Sequence, residues 1–131
     1  MEDYEVSFAV HGYFHVYSLE GLADEKLDRI INEFENADFG ALEDIELVDP
    51  PKEEDLGDYV DECSTPVSGR FRTIVHAKTP MAAYNDALEQ FENADFGALE
   101  DIDGDLVHVA DDHGNYYEGE GELEYAEEER G

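Results

Sequence analysis

The chain has 131 residues, the length of one ordinary domain, and its 41% apolar content with seven Phe and eight Tyr excludes a fully disordered protein. Seven Lys and Arg stand against 37 Asp and Glu, so the formal net charge is −30. Such a charge disfavours direct binding to nucleic acid phosphates or to an anionic membrane, and it favours a partner with a basic surface.

Alternating apolar residues predict a first strand over residues 6–16. The alternation changes phase at Gly12, which indicates a bulge or a tight hairpin turn. His11 and His15 would otherwise share one face of the strand, but this change of phase disturbs their alignment.

A first helix is predicted to start near residue 21 or 22, because Asp24 and Glu25 then lie at the positive end of the helix dipole. Lys26 falls on the predicted solvent side of this helix. The apolar side has the helical spacing i, i+3, i+4, i+7, and it consists of Leu27, Ile30, Ile31 and Phe34.

The segment FENADFGALEDI ends this helix at residues 34–45 and recurs without change at residues 91–102, 57 positions later. Identity over twelve residues indicates a duplicated supersecondary unit. A glycine within each copy, Gly40 or Gly97, is suited to a positive φ after the helix.

In the second copy, residues 71–77 alternate like a strand, and Thr79 followed by Pro80 predicts the start of a helix. The turn-forming stretch at residues 112–115 predicts that Tyr116 and Tyr117 return as a hairpin. The apolar face of the second helix consists of Tyr84, Ala87, Leu88 and Phe91.

These elements predict one α+β domain, residues 1–131, built from two tandem βαβ repeats with pseudo-two-fold symmetry. Two halves that merge their sheets give a ferredoxin-like antiparallel sheet with two helices on one face. Two stacked halves with separate small sheets are the alternative. The predicted segments are the first repeat at 3–48, an acidic linker at 49–68, the second repeat at 69–117, and an acidic tail or edge strand at 118–131; the second strands are predicted at 45–48 and 106–110.

The carboxylates cluster in the linker and in the repeated segment. Duplex DNA carries one negative charge per roughly 1.7 Å of axis, and rows of carboxylates on a folded surface can imitate that pattern. Such a surface would occupy the basic groove of a nucleic-acid-binding protein and exclude nucleic acid, while exposed strand edges would allow a homodimer. The predicted partner-binding residues are Glu43, Asp44, Glu53, Glu54, Asp55, Asp58, Asp61, Glu62, Asp95, Glu100, Asp101 and Asp103.

Motifs for catalysis or cofactor binding are missing from the sequence, which has no Walker loop, no G-x-S-x-G and no H-E-x-x-H. Residues 101–105 resemble part of a calcium loop, but their glycine is fourth instead of sixth. The sequence therefore predicts a binding protein that is not an enzyme and uses no cofactor or metal. The single cysteine, Cys63, excludes an intrachain disulfide and, with no secretory signal or apolar run long enough for a membrane span, predicts a cytoplasmic protein.

The stretch ADFGALEDIDGDLV at residues 94–107, which follows a strand and an acidic amphipathic helix, resembles small acidic βαβ proteins of phages and mobile elements. The resemblance covers each repeat and leaves out the linker and the tail. It implies a phage protein in the host cytoplasm. By analogy with small phage proteins of similar charge, it also implies an anti-CRISPR inhibitor that imitates DNA and binds a CRISPR effector or another nucleic-acid-binding protein.

Two other functions are compatible with the composition. Low Lys and high Asp plus Glu are expected of a cytoplasmic protein from a salt-loving organism, without any mimicry. The sheet could also serve a small-ligand-binding domain, although no specific residue indicates one.

Overall fold

The structure is a computed structural model that describes residues 1–57, 59–119 and 121–124. It has the predicted α+β class, and its described residues form a five-stranded antiparallel sheet, two α-helices of 14 residues, a 3-10 turn at Glu53–Asp55 and a short helical segment at residues 121–124. The elements are β1 Glu2–Val16, α1 Ala23–Asn36, β2 Glu43–Leu47, β3 Cys63–Ala77, α2 Pro80–Asn93, β4 Leu99–Asp111 and β5 Tyr116–Tyr117. Across the sheet the strands follow in the order β2-β3-β1-β4-β5.

The chain divides into two compact units. Unit 1 comprises Met1–Val10, Arg70–Ala94 and Gly104–Gly131, and unit 2 comprises His11–Gly69 and Asp95–Asp103. Residues 121–124 of unit 1 are helical, with Leu123 fully buried, and the predicted tail from residue 125 onward lies outside the described residues.

Aromatic rings form the centre of unit 1. Phe8 is only 1% exposed. Its ring centroid lies 6.2 Å from that of Phe71, 6.2 Å from that of Tyr84 and 5.4 Å from that of Phe91. Helix α2 supplies two of these rings because Tyr84 and Phe91 share its predicted apolar face.

A second aromatic cluster forms the centre of unit 2. The ring of Phe14 lies 5.8 Å from the rings of both Phe34 and Phe39, which are themselves 5.4 Å apart. Ile30 is fully buried in the same unit. The repeated segment therefore contributes core residues as well as surface carboxylates, since Phe34 and Phe39 both belong to its first copy.

Both helices start where the sequence predicts, but by different means. The Thr79 hydroxyl accepts a hydrogen bond from the backbone N–H three residues later at 3.1 Å, and Pro80 occupies the first helical position of α2. Helix α1 begins at Ala23 with no side-chain cap, and Asp24 and Glu25 lie in its first turn. Their negative charges favour that end through the helix dipole.

Strand β1 runs without interruption from Glu2 to Val16, so the predicted hairpin turn and change of phase at Gly12 are wrong. Every even-numbered residue from 4 to 16 is buried, Gly12 included. A Cβ at Gly12 would lie 2.6 Å from Cγ of Leu99, which shows that the Leu99 side chain fills this space. The alternation of apolar side chains was misinterpreted as broken at this position, because glycine has no side chain that shows which face of the strand it occupies.

Lys26 is the second departure from expectation, because it is buried and not on the solvent side of α1. Its side chain is 2% exposed, and Nζ donates hydrogen bonds to the carbonyl oxygens of Gly57 at 2.6 Å and Val60 at 2.5 Å. A buried ammonium requires such partners, since burying an unpaired charge is costly. The helical pattern could not anticipate that the linker supplies them.

Strand β3 begins at Cys63, inside the range 49–68 predicted as linker. Thr65 is buried, and the carbonyl oxygen of Pro66 accepts a hydrogen bond from the Val48 N–H at 3.0 Å. Proline is a poor strand residue because it lacks the N–H donor. The composition of this stretch therefore indicated a linker where the structure has a strand.

The predicted hairpin near the end of the chain is confirmed, with Tyr116–Tyr117 pairing antiparallel to residues 109–110. Asp111 holds the turn, since its Oδ1 accepts hydrogen bonds from the N–H groups of His113 and Asn115 at 2.9 Å. Burial raises the pKa of Asp111, but these bonds, the Asn115 side-chain amide and the charge of His113 together bring it below the ordinary 3.8.

Candidate protein-binding surface

Eleven of the twelve predicted partner-binding carboxylates belong to the described residues, and the structure places all eleven in unit 2 with exposed side chains. Asp58 lies outside the described residues. The eleven are Glu43, Asp44, Glu53, Glu54, Asp55, Asp61, Glu62, Asp95, Glu100, Asp101 and Asp103.

Charge is distributed unequally between the two units. The residues of unit 2 include 21 carboxylates against three Lys and Arg, a net charge of −18, and those of unit 1 include 16 against four, a net charge of −12. Unit 2 is therefore the more negative part of the chain, although unit 1 is also strongly acidic.

The two copies of the repeated segment bind each other within unit 2. The Ala41 N–H donates to the carbonyl oxygen of Asp95 at 3.0 Å, and the Ala98 N–H donates to the carbonyl oxygen of Asp38 at 2.9 Å. These two hydrogen bonds are equivalent, because in each the alanine N–H of one copy donates to the aspartate carbonyl oxygen of the other copy. The exchange ties the first copy to the second and fixes the loops that precede their acidic strands.

Gly40 and Gly97 make this exchange sterically possible. They have left-handed backbone with φ of 60° and 59°. A Cβ on Gly40 would lie 2.0 Å from the carbonyl oxygen of Asp95, and a Cβ on Gly97 would lie 2.0 Å from that of Asp38. Only glycine fits both the backbone angle and the close approach.

Left-handed backbone recurs four residues later, at Asp44 and Asp101, with φ of 51° and 52°. Neighbouring side chains in a regular strand point to opposite faces, and a left-handed residue interrupts that alternation. The consecutive carboxylates Glu43 and Asp44 are both exposed, and so are Glu100 and Asp101. Each copy therefore presents an adjacent pair of carboxylates to solvent.

The pair in the second copy contacts a histidine of β1. Nε2 of His15 lies 3.0 Å from Oε2 of Glu100 and 3.9 Å from Oδ2 of Asp101. The other ring nitrogen, Nδ1, is hydrogen-bonded to the hydroxyl of Ser64. Contacts on both nitrogens fix the orientation of the His15 ring.

Two exposed tyrosines flank His15, Tyr13 within β1 and Tyr17 directly after its last residue. The rings of Tyr13 and Tyr17 lie 6.4 Å and 6.1 Å from the His15 ring at shallow interplanar angles of 29° and 19°. Tyr13 is 43% exposed and Tyr17 is 56% exposed. Unit 2 thus carries a row of three rings beside the carboxylates of the second copy.

This row of rings was not predicted from the sequence as a functional feature, although the signal is present. Residues 11–17 read His-Gly-Tyr-Phe-His-Val-Tyr, in which ring-bearing polar residues occupy every second position. The misinterpretation of Gly12 as a change of phase hid the common face.

The acidic linker is held in place by buried contacts within unit 2. Leu56 is 1% exposed, directly after the 3-10 turn that carries Glu53, Glu54 and Asp55. The Leu19 N–H donates to the carbonyl oxygen of Asp61 at 2.8 Å, and Lys26 binds two linker carbonyls. These anchors fix the backbone that carries the linker carboxylates.

Among residues 1–57, 59–119 and 121–124, no group of three or more His, Cys, Asp or Glu side chains is arranged to hold a metal ion. The segment that resembles part of a calcium loop lies in the extended strand β4. None of the described helices has both the length and the apolar character needed to span a bilayer.

Comparison with known proteins gives no match, since no family model, no curated protein and no solved structure is significantly similar to the chain.

Proposed function

We propose that this protein binds a basic groove of a nucleic-acid-binding protein, such as a CRISPR effector, and excludes the nucleic acid from it. The observation that carries the proposal is the pair of adjacent carboxylates that each copy presents through the same left-handed backbone at Asp44 and Asp101. Non-glycine residues adopt this conformation at an energetic cost, and such strain is concentrated at functional sites.

Fixed positions make these carboxylates effective mimics of phosphates. The reciprocal hydrogen bonds between the copies and the buried anchors of the linker hold the charges before a partner arrives, so less conformational entropy is lost on binding. A net charge of −18 in unit 2 also attracts a basic partner over distance and speeds association, an effect that salt weakens.

The test measures how well the protein displaces a fluorescent DNA duplex from CRISPR effectors and from other DNA-binding proteins at about 0.15 M salt. In one variant Glu53→Gln, Glu54→Gln and Asp55→Asn neutralise the linker turn in unit 2. Its matched control neutralises three exposed carboxylates of α2 in unit 1, Asp86, Glu89 and Glu92.

We expect the linker variant to displace DNA about tenfold less well, since each rim charge contributes a fraction of a kcal/mol, and the control to lose less than about twofold. Equal losses in both variants would show that only overall charge matters. Failure of the wild-type protein to displace DNA from any of these proteins would refute the proposal.

The proposal treats the protein as a binder without catalytic activity, and Ser64 offers the sharpest check. Its hydroxyl contacts His15, which contacts Glu100, and this order of groups occurs in serine hydrolases. We expect no covalent labelling of Ser64 by a fluorophosphonate probe above the level of a Ser64→Ala variant. Labelling that depends on His15 would contradict a purely binding role.

Salt adaptation is a second candidate, and the net charge of −12 in unit 1 favours it because mimicry by unit 2 does not require that charge. A protein adapted to high salt should lose its fold as NaCl falls from about 2 M to 0.15 M, since screening of repulsion then disappears. Circular dichroism over this range separates the candidates: an intact fold at low salt with DNA displacement supports mimicry.

We also infer a ferredoxin-like arrangement of two tandem βαβ repeats, in a cytoplasmic protein. Its support is that α1 and α2 both have 14 residues and that the first four strands follow the order β2-β3-β1-β4. Ferredoxin-like folds interleave two βαβ units in one sheet. An experimental structure with the helices on opposite faces of the sheet would contradict this arrangement.

A further inference from the structure

We propose that a groove beside Tyr13 in unit 2 receives an arginine side chain of the partner. This inference rests on the proposed function, because it names the chemistry of the partner surface that unit 2 would bind. The groove has a volume of about 330 Å³, at the lower end of ligand sites. Its lining includes Gly12, Tyr13, Pro66, Val67, Asp101 and Asp103.

The lining combines three properties that suit arginine. Pro66 and Val67 offer apolar contact for the methylene stem. The exposed Tyr13 ring offers a face on which a planar guanidinium can stack. Asp101 and Asp103 offer exposed carboxylates that can accept hydrogen bonds from its N–H groups.

Contacts within unit 2 support the wall of the groove at Tyr13. Tyr13 lies on β1, and its ring is next to that of His15, which Ser64 and Glu100 hold by both ring nitrogens. Rings that are fixed in advance lose little conformational entropy when a ligand stacks on them. The backbone of Asp101 is set by its left-handed φ of 52°.

Charge decides between arginine and the other ligands that stack on tyrosine. A nucleotide would bring its phosphate toward Asp101 and Asp103, which repel it. A lysine would satisfy the carboxylates, but its compact ammonium lacks the planar face and the paired donors of a guanidinium. Arginine therefore fits the ring and the carboxylates together better than lysine does, because its guanidinium is planar and carries paired donors.

The test titrates the full-length protein with a nine-residue arginine peptide and with a nine-residue lysine peptide at about 0.15 M salt. We expect the wild type to prefer the arginine peptide, and Tyr13→Ala to weaken that peptide about five- to tenfold while leaving the lysine peptide within about twofold. Tyr13→Phe keeps the ring and should keep the preference. Tyr59→Ala, at a fully exposed tyrosine of unit 2 outside this groove, is the matched control and should behave as wild type.

Unchanged arginine binding by Tyr13→Ala, with weaker binding by the linker charge variant, would overturn the groove and leave the acidic surface intact. If the wild type binds neither peptide, the proposed function is overturned together with the groove. Thermal unfolding verifies that each variant folds. If Tyr13→Ala does not fold, Asp103→Asn replaces it, and an unchanged affinity for the arginine peptide in that variant overturns the inference.

Discussion

The two copies of the repeated segment have the same backbone in spite of different surroundings. The φ angles are 60° and 59° at Gly40 and Gly97, and 51° and 52° at Asp44 and Asp101. The hydrogen bonds exchanged between the copies also match, at 3.0 Å and 2.9 Å. Identical local sequence is therefore accompanied by the same turn geometry on both sides of the exchange.

Side chains at equivalent helix positions differ between the copies. The helical position of Lys26 in α1 corresponds to Ala83 in α2, and both are buried. Lys26 binds linker carbonyls, whereas Ala83 fills its position with a methyl group. Side chains at equivalent backbone positions thus make different contacts, and their neighbours in the tertiary structure decide which contacts form.

The largest expected effect comes from replacing Gly40 or Gly97 by alanine. Left-handed backbone alone costs an alanine about 1–2 kcal/mol, and the Cβ would also collide with a carbonyl oxygen at 2.0 Å. We expect each variant to lose at least about 3 kcal/mol of unfolding free energy, or to remain unfolded, with equal losses in both copies. Chemical denaturation measures the loss.

Gly57→Ala is the matched control, because no heavy atom beyond its two neighbours in the chain lies within 4 Å of the position of its Cβ. Its free energy of unfolding should change by less than about 0.5 kcal/mol. A clear difference between Gly40→Ala and Gly97→Ala would break the equivalence of the two copies.

Replacing Lys26 tests the difference between the copies. Lys26→Ala, which installs the residue of the second copy, should lower the free energy of unfolding by about 2–3 kcal/mol, since the carbonyls of Gly57 and Val60 lose their donor and the stem leaves a void. Lys26→Met keeps most of the stem and should recover about 1 kcal/mol of that loss. Equal stability of the alanine variant and the wild type would show that the buried ammonium is dispensable.

Asp44 and Asp101 allow a finer comparison. Asp44→Ala and Asp101→Ala should each lose about 1–2 kcal/mol, because alanine adopts left-handed backbone less readily than aspartate. The asparagine variants should stay close to wild type, since asparagine tolerates this conformation. If Asp101→Asn loses more than Asp44→Asn in thermal unfolding, the excess measures the contact of Asp101 with His15 at 3.9 Å.

The smallest expected effect concerns the hairpin turn that follows β4, at Asp111. Because the folded pKa of Asp111 lies below its ordinary value, its ionised form stabilises the fold above the unfolded pKa, and this contribution is lost as pH falls through the folded pKa. The stability difference between wild type and Asp111→Asn should therefore be constant near neutral pH and shrink below about pH 4.

Asp112→Asn removes the same charge within this turn, at a side chain that does not hold it together, and serves as the control. Denaturation across the acid range measures both variants. An equal pH dependence in the two would mean that the hydrogen bonds of Asp111 add nothing specific.

Local signals account for the parts of the fold that were predicted correctly. Thr79 and Pro80 predicted the start of α2, and the turn residues at 112–115 predicted the hairpin. Gly12 and Lys26 were misinterpreted because their roles depend on residues distant in sequence, Leu99 for the glycine and the linker carbonyls for the lysine.

The candidate surface likewise has some features that local sequence predicts and others that depend on residues distant in the chain. The sequence by itself determined that carboxylates would crowd the linker and the repeat, because composition and identity of segments are visible without a structure. Only the tertiary structure gathered the described ones in unit 2 and set the row of Tyr13, His15 and Tyr17 beside Glu100. The physical reason is that charge and turn preference are properties of a residue and its neighbours in the chain, whereas burial and contact between β1 and β4 depend on long-range packing.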